Sequence, residues 1–448
     1  MTNWFSPLFA AGSARVRLFA HLGREAARSP VVRQVFQEYE RPNLHLAIEA
    51  VLAKSQAPSP IGLVERQTSA TLSQIVHSTF GTSFPIGPVE YVDVSLGDGE
   101  RIACVKRGLY LTADDAGRPI ALLIASDGDS YPPKILVEVM ANERAVAEQF
   151  LRRVTEAVQH GKAYRGRVFS LERNCYGEVE VKFHRLPAIS REQIILPNEL
   201  LERIERHSIS FSRHAERLQK CGRHLKRGLL LHGPPGTGKT LCATYLATRL
   251  ENRTVILLTG GGMGSIEAAC HLARLLAPTT VILEDVDLIG AERENQTVGA
   301  NALLFELLNQ MDGLNEDCDV LFILTTNRPD VLEPALSARP GRIDQAIEIP
   351  LPGEPCRSRL IELYAEGLTL AIDDRSDFVR RLEGASAAFI KELLRKAAVL
   401  SAEEHDGPDI VVDYGCLDRA LSELLVAGGS LTRTLLGAKI SPKEPAAN

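Results

Sequence analysis

Gly233, Gly236, Gly238, Lys239 and Thr240 are spaced to hold a triphosphate. The apolar run Leu229-Leu230-Leu231 and His232 feed a loop, Gly233-Pro234-Pro235-Gly236-Thr237-Gly238-Lys239-Thr240, of the form G-x-x-x-x-G-K-[ST]. A segment with helical character, Leu241 to Leu250, follows. The glycines let backbone N–H groups turn inward around phosphate oxygens, and the helix presents its positive end to the same anion. In such a loop the lysine reaches the β- and γ-phosphates and the threonine hydroxyl ligates Mg²⁺. A chance glycine-rich turn has no reason to fall between a strand and a helix, so the pattern implies nucleoside triphosphate binding.

A second chemical feature lies about forty residues on. Thr279-Thr280-Val281-Ile282-Leu283-Glu284-Asp285-Val286-Asp287 is a buried-strand run that ends in carboxylates. Beside a phosphate loop, one such acid belongs in the Mg²⁺ shell and the next orients or deprotonates an attacking water. Further on, Asn327 stands at the tip of the apolar run Leu321-Phe322-Ile323-Leu324, where it can contact a γ-phosphate or the lytic water; a turn-forming Asn looks the same in isolation. Arg339 and Arg342 stand three residues apart in Ala338-Arg339-Pro340-Gly341-Arg342. Arginines supplied across a subunit interface stabilise transition-state charge and raise rates by ~10³–10⁵.

The elements that must position these groups alternate as a parallel sheet requires. Strands are expected at Leu229–His232, Val255–Leu258, Val281–Leu283, Val320–Thr325 and Ala346–Ile349, with a helical tail over 354–438. Upstream, residues 1–56 read as helical, with Leu18, Leu22, Val32 and Val35 at helix-compatible intervals. Ala14 to Arg28 is a basic amphipathic stretch, better explained by packing on its own domain than by a membrane surface. After a linker at Ala57-Pro58-Ser59-Pro60 come strand runs at Tyr91–Val94, Ile102–Val105, Ile120–Ala125 and Ile135–Met140, a helix over 141–160, and strands at Gly166–Leu171 and Val179–Phe183. This reads as an α+β domain. Asp114, Asp115, Asp127 and Asp129 are expected as surface turn residues rather than a metal cluster. The organisation expected is thus a helical segment at 1–56, an α+β domain at 57–190 for a client or partner, a nucleotide domain at 195–352 and a small helical domain at 353–440.

Composition bounds the rest. The 448 residues suggest about three domains, and 51 basic against 57 acidic residues leave a net charge of −6, without a basic footprint for nucleic acid. No apolar run reaches the ~18–20 residues of a membrane span. The N-terminus lacks the basic region of a secretory signal, and the eight cysteines include no C-x-x-C pair. A cytoplasmic protein with free thiols is expected.

Taken together, Gly233–Thr240, Glu284–Asp287, Asn327-Arg328-Pro329 and Arg339-Pro340-Gly341-Arg342 resemble the AAA ATPases in the strict sense, the clade of katanin, proteasomal ATPases and AAA proteases. Leu307-Leu308-Asn309-Gln310-Met311-Asp312-Gly313-Leu314 is similar to that clade's helix-to-loop signature. The resemblance covers about 195–430 and implies a P-loop αβα sandwich with a small helical lid, assembled into a ring, usually a hexamer. It implies ATP and Mg²⁺ as ligands, with Gly233, Pro234, Pro235, Gly236, Thr237, Gly238, Lys239, Thr240 and Leu241 around the nucleotide. Thr240 and Glu284 fall at the metal, Asp285 and Asn327 at the reacting phosphate, and Arg339 with Arg342 act in trans. Gly384-Ala385-Ser386-Ala387-Ala388-Phe389 is similar to the turn that touches the adenosine, with Ala387 where the family usually has Gly.

Three departures bear on mechanism. The acidic pair is reversed: Glu284 falls where the family has its Mg²⁺-shell Asp and Asp285 where it has the catalytic Glu, an order that resembles the branch translocating the folded Rieske protein. A slow but real ATPase is expected. Thr259-Gly260-Gly261-Gly262-Met263-Gly264-Ser265 lacks the aromatic that threading motors place in the pore; Met263 is either its apolar substitute or part of a flexible glycine loop. One extra residue precedes Arg339, which leaves open which arginine dominates. The expected function is an ATP-driven remodeller of a protein client; the alternative is a nucleotide-gated assembly or scaffold protein whose slow ATPase serves as a timer. An AAA protease would need zinc ligands that the chain lacks.

Overall fold

The computed structural model describes residues 13–53, 58–64, 71–78, 84–127, 132–259, 264–287, 302–313, 317–332, 342–372, 374–404, 407 and 409–427, of which 302–305 and 426–427 are described for backbone only. The chain forms two compact units, 1–184 and 185–448.

The first unit is built on an antiparallel sheet. Its strands are β1 (Val31–Phe36), β4 (Glu90–Gly97), β5 (Glu100–Ala113), β6 (Pro119–Asp127) and β7 (Lys134–Ala141), in the order β1-β7-β6-β5-β4, with short β2 (Gly62–Leu63) and β3 (Ile86–Gly87) paired beside them. The period-2 pattern of β6 sorts its side chains between two cores. Ile120, Leu122 and Ile124 pack with α2 (Arg41–Leu52) and α4 (Arg144–Gln159), whereas Ala121, Leu123 and Ala125 pack with α1 (Ala14–Leu22) and α3 (Leu72–His77). A hairpin of β8 (Val168–Arg173) and β9 (Val179–Phe183) ends the unit.

This corrects the helical reading of 1–56. Val31–Phe36 is a strand that pairs antiparallel with β7, Val31 opposite Met140 and Phe36 opposite Ile135. Helix-compatible spacing of Val32 and Val35 is outweighed by a β-branched run that a sheet edge can pair. Phe36, Leu44 and Ile48 share one core with Ile120, Leu122, Ile124 and Val137. The 14–28 stretch buries Ala14, Leu18 and Leu22 of α1 inside this unit. Asp114 accepts hydrogen bonds from the Ala116 and Arg118 amides at 3.0 and 2.8 Å, as a turn residue does; Asp129 lies outside the described residues.

The second unit carries five parallel strands, β10 (Arg227–His232), β11 (Thr254–Leu258), β12 (Thr279–Leu283), β13 (Val320–Thr326) and β14 (Gln345–Glu348), ordered β14-β10-β13-β12-β11. β12 and β13 are buried along their whole length, the signature of a parallel sheet covered on both faces. Its helices include α5 (Asn198–Glu205), α6 (Lys239–Arg249), α7 (Ile266–Leu275) and α8 (Ala302–Asp312). The tail is not wholly helical. Between α9 (Glu354–Tyr364), α10 (Arg375–Arg381), α11 (Ala387–Glu404) and α12 (Tyr414–Ser422), the short strands β15 (Thr369–Ala371) and β16 (Val411–Asp413) pair in parallel. Phe378, Phe389, Leu393 and Leu417 centre the separate core of this small domain. Among the described residues, no helix is long and apolar enough to cross a membrane.

Candidate active site at the strand ends of the parallel sheet

β10 delivers the glycine loop. At Gly233, φ is +142°, and an added Cβ would stand 2.3 Å from the Ile349 carbonyl oxygen, so only glycine lets the chain leave the sheet here. Gly238, at φ +97°, is the left-handed residue that turns the loop into α6. A Cβ at Gly238 would point into open space, so conformation rather than crowding selects the glycine. The first amides of α6 lack intrahelical partners and stand beside a cavity that Lys239, Thr240 and Leu241 line.

The Lys239 ammonium is buried within the loop, donating to the carbonyls of Gly233 at 2.9 Å and Pro234 at 2.8 Å. Thr237 Oγ1 donates to the same Pro234 carbonyl. Burial lowers the Lys239 pKa, against which the charges of Asp285 and then Asp287 hold it up.

The carboxylates arrive from β12. Glu284 N donates to Leu258 O at 3.1 Å and continues the sheet, after which Asp285 adopts φ +49°. Two bonds from β13 fix this bend: Asp285 N donates to Thr325 Oγ1 at 3.1 Å and Val286 N to Thr325 O at 3.0 Å. Asn327 Nδ2 donates to Asp285 Oδ1 at 3.2 Å. Asp287 Oδ1 accepts from Thr326 Oγ1 at 2.7 Å and from Asn327 N at 3.2 Å, which clamps the end of β13 to the acidic turn.

Asp285, Asn327, Lys239 and Thr240 line one cavity of about 440 Å³, together with Pro235, Gly236, Thr237, Gly238 and Leu241. The volume lies within the ~300–1,000 Å³ range of small-molecule sites. Glu284 is not part of that lining; burial raises its pKa, and the neighbouring Asp285 charge adds to the rise.

The small domain completes the wall. Ala388 N donates to Gly236 O at 3.0 Å, so α11 begins directly against the phosphate-type loop. Phe389 N donates to Ser386 Oγ at 3.1 Å and fixes the turn. Ala387 and Ala388 line the cavity, as do Leu360 and Tyr364 of α9, Lys391 of α11 and the segment Ile194-Ile195-Leu196 ahead of α5. Sequence reasoning missed these last residues. The apolar Ile194-Ile195-Leu196-Pro197 run at the start of the nucleotide domain was the available signal; Tyr364 and Lys391 had none, since helix spacing makes them look like ordinary surface and core positions.

Arg342 stays away from the cavity of its own chain, paired through Nε and Nη2 with Asp312 at the end of α8. Arg339 and Met263 lie outside the described residues.

A parallel sheet whose strand ends bring a glycine loop, a buried lysine, a carboxylate and a polar asparagine to one cavity defines a P-loop nucleotide fold with a helical lid. The model of the ATPase family associated with various cellular activities (AAA) matches residues 229–351. The proteasome-activating nucleotidase of Pyrococcus horikoshii is 31% identical over 304 residues, covering 60% of this chain and 74% of that protein. The protein of the same name from Methanosarcina mazei is 30% identical over 302 residues, covering 59% and 70%. A chain from a structure titled as the basis for katanin self-assembly aligns at 26% identity with a TM-score of 0.43, over 56% of this chain and 89% of that one. The chain belongs to the AAA ATPase family, and it is an ATPase.

Proposed function

We propose that this protein is a ring-forming, ATP-driven remodeller of a protein client, tuned for slow turnover. The observation that carries the reading is the cavity shared by Lys239, Asp285 and Asn327, with Arg342 held outside it. ATP would place its phosphates against the Gly236–Thr240 amides and Lys239. The Thr240 hydroxyl and the Asp285 carboxylate line the same cavity and would make an oxygen-only donor set, which suits Mg²⁺. Bound there, the ion would neutralise charge on the phosphate oxygens.

Asp285 is the carboxylate that lines the cavity, and Asn327 orients it. In this reading Asp285 positions the attacking water, and Asn327 fixes that water or the γ-phosphate. We assign Glu284, the residue before Asp285 at the strand end, to the metal shell. Arg339 and Arg342 serve a neighbouring subunit's site. The relatives' name, proteasome-activating nucleotidase, supports a protein rather than a nucleic acid as client. The Glu284–Asp285 order resembles the branch that translocates the folded Rieske protein, and we propose a related tuning.

The same short Asp285 favours a second reading, a nucleotide-gated scaffold whose hydrolysis is a timer. Steady-state phosphate release tests the enzymatic core: the wild type exceeds a Lys239→Ala control, and equality between them overturns the proposal. Client activity of Asp285→Asn held in ATP separates the readings. Loss of activity supports the motor, and full activity supports the gated scaffold.

A further inference from the structure

Among its described lining residues the cavity has two cations, Lys239 and Lys391. Lys239 is satisfied by the loop carbonyls. Lys391 stands three residues after Ala388, on the same face of α11 and one turn further from Gly236. The later cations of α11 have carboxylate partners, Arg395 with Glu392 and Lys396 with Glu423. Lys391 makes no hydrogen bond or ion pair among the described residues. Its Nζ lies 5.8 Å from the centroid of the Tyr364 ring, near the outer limit of a cation–π contact.

We propose that Lys391 selects the base: its ammonium donates to the purine edge and makes the site accept guanine beside adenine. The inference rests on the reading of this cavity as the nucleoside triphosphate site. With phosphates at Gly238–Thr240, the surface left for a ring includes the apolar and aromatic Ile195, Leu360 and Tyr364, with Gln193 and Lys391 beside them. An ammonium has three donors and no acceptor. On the edge that carries N7, adenine offers it one acceptor flanked by an amino donor, whereas guanine offers two acceptors there, O6 and N7, which lysine pairs with. The one carboxylate among the described lining residues, Asp285, is engaged by Asn327 and cannot serve the adenine amino group at the other end.

The test is kcat/KM for ATP and for GTP in the full-length protein, as wild type, Lys391→Met and Lys391→Arg. The GTP-to-ATP ratio is expected to fall roughly tenfold in Lys391→Met and to recover in Lys391→Arg, whose guanidinium also pairs with O6 and N7. An unchanged ratio in Lys391→Met overturns the proposal, including the case of equal losses that a phosphate contact would produce. A Lys239→Ala control keeps the two readings apart: if it hydrolyses both nucleotides at the wild-type rate, the nucleotide site itself is misplaced.

Discussion

Asp285 combines a short side chain with an uncommon backbone. Its φ of +49° falls in the left-handed region, which Asp tolerates better than Glu because its short polar side chain can bond locally. The Asn327 amide donates to that side chain, and the Thr325 hydroxyl accepts from the Asp285 backbone N–H. An aspartate is one methylene, roughly 1.5 Å, shorter in reach than a glutamate, and a misplacement of ~1 Å can cost about 10²-fold in rate. Exchanging the two acids, Glu284→Asp and Asp285→Glu together, should therefore raise kcat by about tenfold, short of the full factor because the turn was built around Asp. The same double variant should lose about 1 kcal/mol of stability, since a longer side chain now sits in the left-handed region. Phosphate release and a melting curve read the two effects; a kcat that stays flat or falls would show that reach does not limit turnover.

At the level of elements, the opposite ends of the same strands are tied by charge. Asp319, just ahead of β13, accepts from Arg227 Nη2 at 3.0 Å and from Arg253 Nη1 at 2.7 Å. Arg253 also donates to Thr279 O and Thr280 Oγ1 at the start of β12, and Arg227 lies 4.0 Å over the Phe211 ring. Both guanidinium groups are buried, and burial pulls the Arg227 pKa down to about 10. Removing the shared carboxylate leaves two buried cations without it, so Asp319→Ala should cost about 3–5 kcal/mol. For a domain of this size that lowers the melting midpoint by roughly 10 °C. A shift of only a degree or two would mean that the triad is a surface-like pair of little worth.

These two features differ in how far the sequence reveals them. The glycine loop, the Glu284–Asp285 strand end and Asn327 were legible because each is a local pattern, an apolar strand followed by the polar residue its end presents. The Asp319 triad joins positions 227, 253 and 319, and the far end of the cavity joins 195, 364 and 391; such sets exist only after the sheet and lid have folded. The strand at Val31–Phe36 failed for a related reason, since its partner β7 lies about a hundred residues away.

At the scale of the assembled molecule, Arg342 poses the test of the ring. Within its own chain the guanidinium is paired with Asp312 and is not among the residues that line the cavity. If it serves a neighbour, two inactive variants should repair one another. Lys239→Ala lacks the loop lysine but keeps the arginine, and Arg342→Ala keeps the lysine but lacks the arginine. In an equimolar mixture assembled at random, about a quarter of the interfaces pair an intact loop with an intact arginine across a heterologous contact. Phosphate release should then rise from near zero for either variant alone to about a quarter of wild type. Arg339→Ala run through the same mixing shows whether the first arginine shares the role. A mixture no more active than its components would mean that the arginine acts within its own chain or not at all, and the ring reading would lose its chemical basis.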